Sequence, residues 1–171
     1  FRKDGSRFPI RMFLQRTIFA DGPATVAFIM DISESKRAEK ALVRSEALYH
    51  DTFDNAPIGI FHSTEEGKFI LVNNKVAQMF GYATPDEMVR DVNKTNIAQA
   101  LYVDPQKHAS VVEEAKKVPL WFCFENDYRR KDGSILNGKV TTHFVFKPDG
   151  TVDHIEGMIE DITERKQAEE S

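Results

Sequence analysis

The chain has 171 residues, 41% of them hydrophobic with 13 Phe, and a formal net charge of −4. That is apolar content enough for a packed core, and no basic patch stands out to neutralise nucleic-acid phosphates. A single cysteine, Cys123, excludes an internal disulfide framework and a cysteine-built zinc site.

There is room for one ordinary domain with length left over, or for two small ones. No apolar run approaches the ~18 residues of a membrane span, and no signal peptide is visible. The chain opens in mid-strand at Phe1 and reads as a soluble, cytoplasmic piece of a longer protein. No nucleic-acid partner and no membrane contact are expected of it.

Residues 1–32 read as a strand hairpin. Phe8, Ile10, Met12, Leu14 and Ile18 fall at period two, Asp21-Gly22 supplies a turn, and Val26 to Ile32 makes the second strand. A lone hairpin is marginal in water and exposes an edge and an apolar face, so this one is expected to pack on a partner surface, the second module or another copy. Ser33 to Asn55 reads as one helix, capped by Ser33 and carrying Glu34 and Glu39 near its positive end. Ala38, Ala41, Leu42, Ser45, Leu48, Thr52 and Phe53 recur at spacings of three and four. This narrow stripe suits a two-helix coiled coil or dimer seam, against the plainer reading of a solvated connector.

Pro57 ends that helix, and Ile58, Ile60 and Phe61 with Phe69 to Val72 make a hairpin through Glu66-Gly67. Asn73 caps a short helix, Asn74 to Phe80, which Gly81 stops. Thr84-Pro85-Asp86-Glu87 is a capping box with proline at the first helical position. Ile97, Ala98 and Leu101 mark another short helix, and Asp104-Pro105 opens a longer one to Lys117. Three strands then follow, Leu120–Arg130, Ser134–Phe146 and Thr151–Ile162, with turns at Asp132-Gly133 and Asp149-Gly150 and a charged helix from Glu164. This order predicts an α+β half-barrel: a five-stranded antiparallel sheet with helices on one face, behind a long N-terminal linker helix.

The end of the chain repeats its beginning. Asp4-Gly5 recurs as Asp132-Gly133 and Asp21-Gly22 as Asp149-Gly150, both 128 residues on, and Asp31-Ile32 recurs as Asp161-Ile162 at 130. A unit that ends twice in an acidic residue, Ile, Ser/Thr and a charged helix describes a module joined by helical linkers.

The sequence resembles the PAS domain family with its C-terminal motif, preceded by the tail of another PAS domain. The resemblance rests on Asn55-Ala56-Pro57-Ile58-Gly59-Ile60, Val72-Asn73, Phe80-Gly81-Tyr82 with Asp86-Glu87-Met88, Arg130-Lys131-Asp132-Gly133-Ser134 and Asp161-Ile162-Thr163-Glu164-Arg165-Lys166. It implies 1–32 as the last strands of a preceding PAS domain, 33–55 as linker, 56–163 as PAS domain, and 164–171 as the start of an exit helix. It also implies a non-catalytic sensory or dimerisation module of a bacterial signalling protein, of the kind placed before a histidine kinase or a diguanylate cyclase. None of that catalytic machinery is in the sequence.

The ligand pocket is expected from Phe61, Phe69, Leu71, Met79, Phe80, Ile97, Leu101, Val112, Phe122, Phe124, Tyr128, Val140 and Phe144, with Met158 a further member. Asn126 and Thr142 share strand parity with this set and would orient a ligand; the same residues would also serve as a solid core. His108 stands roughly where haem-binding relatives place an iron ligand, but its context, Gln106-Lys107-His108, favours a solvent-facing side chain. Cys123 lies on a strand, away from the helix where flavin-binding light sensors of this fold carry their reactive cysteine, and reads as inert. His62, His143 and His154 are scattered over strands, and no metal site is expected of them. Asp161, Ile162 and Thr163 are the candidate relay from last strand to exit helix. A homodimer through linker helix and sheet, and adjacent domains of the same protein, are the expected partners. The rival reading is a ligand-free dimerisation scaffold, with a haem-binding gas or redox sensor ranked behind it; no cofactor is the first expectation, haem or another small ligand the alternatives.

Overall fold

Glycines that follow aspartate set the turns. In the computed structural model, which describes residues 2–169, Gly133 and Gly150 adopt φ of 86° and 84°. Only glycine enters this region cheaply. The described chain divides between His50 and Asp51 into two units.

In the first unit, β1 (Ile10–Phe19) pairs antiparallel with β2 (Gly22–Asp31) in unbroken register from Ile10 opposite Asp31 to Phe19 opposite Gly22. The second strand starts earlier than expected, because Gly22 at φ 125° completes the turn and lets pairing begin at once. Both faces of this ribbon are open: Leu14 is 66% exposed and Phe13 56%. Helix α1 (Ser33–Asp54) follows as one rod, about 33 Å long at ~1.5 Å per residue. Ser33 is its first helical residue rather than its cap. The Asp31 carboxylate, two residues back, accepts the Ser33 N–H at 2.8 Å.

The second unit holds β3 (Gly59–Ser63), β4 (Phe69–Val72), β5 (Phe122–Arg129), β6 (Ile135–Phe146) and β7 (Val152–Asp161), antiparallel in the order β4-β3-β7-β6-β5. Between β4 and β5 come α2 (Asn74–Phe80), α3 (Pro85–Val92), α4 (Ile97–Leu101) and α5 (Lys107–Lys116), and α6 (Thr163–Glu169) leaves the last strand. The fold is therefore the expected α+β arrangement.

Each helix start has a local cause. Asn73 accepts the Val76 N–H at 3.1 Å, Thr84 accepts the Glu87 N–H at 3.1 Å with Pro85 next to it, and Asn96 accepts the Gln99 N–H at 2.9 Å. Helix α5 begins later than Asp104. The Lys107 and His108 amides bond back three residues, to Asp104 O and Pro105 O, so 104–106 form a turn before the helix proper. Strand β5 likewise starts at Phe122, where pairing with Thr142 begins, leaving Leu120 and Trp121 exposed. The core lies between the inner sheet face and the helices. Met88, Val92 and Leu136 are wholly buried there, and Phe80 and Val76 nearly so.

Candidate functional site

Alternation along the strands sends one set of side chains toward the helices. Phe61 and Ser63 of β3, Phe124 and Tyr128 of β5, Val140, Thr142 and Phe144 of β6, and Ile155 and Ile159 of β7 share that inner face. With Phe69 and the helix residues Val76, Phe80, Ile97, Leu101, Val112 and Ala115 they enclose a cavity of about 70 Å³. One buried water needs ~10–15 Å³ on the same measure, so there is space for several heavy atoms.

Of the residues expected at a pocket, the structure brings together Phe61, Phe69, Phe80, Ile97, Leu101, Val112, Phe124, Tyr128, Val140, Thr142 and Phe144. Five others stand elsewhere. Leu71 pairs with His62 on the outer face, because pairing slips between His62 and Ser63. That slip leaves Ile70 out of register and reverses the alternation between Phe69 and Leu71. Met158, opposite Ile60 and Thr141, is on the outer face too. Met79 packs against the main core cluster, and Phe122 against the smaller cluster around Ala115, Phe144 and Ile155. Asn126 keeps inner parity but lies beside the Tyr128 hydroxyl, its amide also donating to Asp127 O at 3.2 Å.

Several lining residues were not anticipated. Ser63, Ile155 and Ile159 follow from strand parity with Phe61 and within β7, a signal present in the sequence. Tyr102 had none: it follows α4 and is brought in by an isolated bridge to Tyr128, their rings 5.0 Å apart at 82°. His108 is a correction, since it lines the cavity rather than facing solvent, its ring edge-on to Tyr102 at 5.2 Å.

The electrostatics of the wall are those of a neutral site. Burial holds the His108 imidazole below its ordinary 6.5. Burial raises the Tyr102 phenol, the neighbouring Tyr128 partly offsetting this, and burial followed by Tyr102 pushes the Tyr128 phenol well up. Among the described residues, no Asp, Glu, Lys or Arg lines the cavity. A charged guest would lose its hydration without an opposite charge in return, whereas a neutral, mostly apolar one loses little.

The cavity wall is tied to the end of β7. Phe80 O accepts the Lys131 N–H at 2.9 Å, and Met79 O accepts Arg130 Nε at 2.9 Å. Arg130 Nη2 reaches the Asp161 carboxylate at 2.8 Å, whose other oxygen accepts the Thr163 N–H at 2.9 Å at the start of α6. Thr163 Oγ1 in turn accepts the Asn137 N–H, and Glu125 of β5 pairs with Arg165 and Lys166 of α6. Ile162 is buried at this junction.

The remaining candidates lie off this path. His62, His143 and His154 stand on the outer face, His62 stacked on His154 at 5.1 Å and His143 beside Trp121. Among the described residues no group of three or more His, Cys, Asp or Glu is placed to hold a metal ion. Cys123 is exposed, with parity opposite to Phe122 and Phe124. No helix among the described residues is long and apolar enough to cross a membrane.

Comparison with known proteins agrees with this geometry. A family model described as a PAS domain matches residues 57–164. The chain is similar to Sporulation kinase A of Bacillus subtilis, 25% identical over 182 residues, covering 99% of this chain and 27% of that protein. The chain thus spans about a quarter of the length of that curated relative. Among solved structures it is similar to the PAS domain of an HTR-like protein from Haloarcula marismortui, with TM-score 0.60 and 22% identity over 74% of this chain and 99% of that one. It is also similar to the PAS domain, in complex with ethanol, of a LuxR-family transcriptional regulator from Burkholderia thailandensis. There the TM-score is 0.55 and the identity 17%, over 67% of this chain and 97% of that one. Likenesses of this order carry the fold alone.

Proposed function

The chain belongs to the PAS domain family, and from that premise we propose that residues 56–163 are a non-catalytic sensory and relay module of a larger signalling protein of the histidine-kinase type. The stimulus is a small, neutral, mostly apolar molecule held between sheet and helices. One observation carries this reading: Phe80, on the cavity wall, belongs to the helix end that Arg130 and Lys131 bond to the Asp161 junction. A guest that favours one packing of α2 against the sheet therefore biases the setting of α6. The similarity to Sporulation kinase A along 99% of this chain and the ethanol held by the Burkholderia domain both accord with it.

Haem is not proposed. His108 stands on the wall, but about 70 Å³ has no room for the macrocycle.

The test is gentle mass spectrometry of the purified chain beside the variant Ala115→Leu, which fills the cavity from a residue 3% exposed. A small neutral species retained by the parent and lost from a folded variant is the expected result. No retained species, together with no thermal shift by any of a panel of small alcohols and phenols, overturns the reading.

A second reading, a dimerisation scaffold that binds nothing, is favoured by one feature. Leu42 and Leu48 of α1 are 61% and 66% exposed, and a homodimer through this helix would cover them. Sedimentation of the parent and of Leu42→Lys decides it: a dimer lost in the variant supports the seam.

A further inference from the structure

The hairpins β1–β2 and β6–β7 share the bonds of their opening turn and of their closing junction, and they diverge only farther out, where pairing in β6–β7 slips between Val145 and Phe146. In the first, the Arg2 N–H donates to Ser6 O at 2.8 Å and the Gly5 N–H to Arg2 O at 2.9 Å; in the second, Arg130 to Ser134 at 2.8 Å and Gly133 to Arg130 at 2.9 Å. Arg2 reaches Asp31 at 2.7 Å as Arg130 reaches Asp161 at 2.8 Å. Asp31 accepts the Ser33 N–H at 2.8 Å as Asp161 accepts that of Thr163 at 2.9 Å. Ile32 N bonds to Pro9 O as Ile162 N bonds to Asn137 O. The strand registers coincide: Ile10 faces Asp31 and Met12 faces Ile29, as Gly138 faces Asp161 and Val140 faces Ile159.

What differs is the cover. Val140 and Ile159 are 2% and 3% exposed beneath the helices, whereas their counterparts Met12 and Ile29 are 50% and 61% exposed. Among the described residues, both outer edges of β1–β2 are also without a strand neighbour, where β6 has β5 and β7 has β3. A two-stranded ribbon with an open apolar face and two free edges is not stable alone.

We propose that β1–β2 are the closing strands of a second PAS domain, and that the face formed by Ile10, Met12, Leu14 and Ile29 is covered by a preceding segment of the same polypeptide. That segment supplies what β3, β4, α2–α5 and β5 supply to β6–β7: a strand on each edge and apolar helices on the inner face. A second copy of this chain fits less well, because its corresponding strands are already engaged with its own β6–β7. Helix α1 is then the exit helix of the upstream domain, as α6 is of the downstream one, and Arg2–Asp31 repeats the Arg130–Asp161 junction. The protein carries two such junctions in series.

Thiol accessibility tests this in the full-length protein on a Cys123→Ser background, the labelled peptide being read by mass spectrometry. Met12→Cys places a thiol on the face to be covered and Phe13→Cys one on the opposite face; Ile29→Cys and Phe28→Cys repeat the pair on β2. The inner-face thiols should react with a maleimide at least tenfold more slowly than the outer-face ones in the full-length protein. In the 171-residue chain the two should differ little. Equal rates in the full-length protein overturn the proposal. So does inner-face protection in the 171-residue chain that grows with protein concentration, which would make a second copy the occupant.

Discussion

The Arg130 guanidinium meets the Asp161 carboxylate at 2.8 Å, with the two side chains 24% and 31% exposed. Burial alone would raise the Asp161 pKa, but hydrogen bonds from Thr163 and then Arg130 outweigh it and hold the carboxyl below its ordinary 3.8. The same guanidinium donates to Met79 O and Ile135 O, so one side chain joins the end of α2, the start of β6 and the end of β7. Ion pairs at open surfaces contribute little; this one is partly enclosed and shares its partners with the backbone.

Asp161→Ala should leave the cavity intact and detach it from α6. Losing the Thr163 bond and the ion pair costs about 1–2 kcal/mol by analogy with helix-cap deletions. In the full-length protein, output should no longer follow the stimulus, and unchanged signalling would refute the relay. Because the folded carboxyl titrates below 3.8, its contribution is complete above that value and lost as pH falls through the lower, folded one. Asp161→Asn should therefore flatten the acid limb of the stability curve below about pH 4. Part of that limb will remain, since Asp132 and Asp149 are also lowered, each first by its hydrogen-bonding neighbour, Ser134 and Thr151.

Asn73 makes four side-chain hydrogen bonds from a buried position in the second unit. It is 0% exposed, accepts from Val76 N and Ile60 N, and donates to Phe53 O and Ile58 O. Asn73→Ala should cost about 2–4 kcal/mol, because four backbone partners, buried or half-buried, lose their bond at once. Asn73→Asp should be no better, since a carboxylate would face two carbonyl oxygens. A thermal midpoint within about 2 °C of the parent for either variant would contradict this account.

The cap role of Asn73 was legible, because asparagine before an apolar turn satisfies free amides locally. Its bonds to Phe53 and Ile58 were not, since they join segments that only the tertiary fold brings together. The same division runs through the cavity. Phe124, Tyr128, Val140, Thr142 and Phe144 could be placed by period two, which is a property of the strand itself. Leu71 could not, because the slip beside Ser63 depends on how β4 meets β3. His108 looked solvent-facing from its polar neighbours, yet the turn at 104–106 delays α5 and rotates the ring onto Tyr102. Local rules fixed the elements; contacts between distant segments decided which residues meet.

Gly157 should not tolerate a side chain. A Cβ there would stand 2.1 Å from Cζ of Phe61, whose ring lies across the backbone at this point of β7. Phe61 is a cavity wall, so Gly157→Ala should displace it, destabilise the fold by about 1–3 kcal/mol and weaken retention of any guest. Denaturant unfolding and ligand titration of the variant read the two effects separately. A variant as stable as the parent would mean that Phe61 moves freely, and would remove it from the wall.

Guest binding should weaken with acid because of His108. Its imidazole is half-buried against Tyr102, and burial holds it below 6.5, so at neutral pH the wall carries no charge there. A base whose folded pKa is depressed favours the neutral form. Its contribution is therefore full above the ordinary value and declines as pH falls below 6.5 toward the folded one. His62 is lowered in the same direction, first by burial, but stands on the outer face. The two are separable by substitution. Affinity for a neutral guest should fall as pH drops from about 7 to 5 in the parent and in His62→Gln, and stay level in His108→Gln. An unchanged slope in His108→Gln would assign the acid sensitivity elsewhere and leave His108 as packing alone.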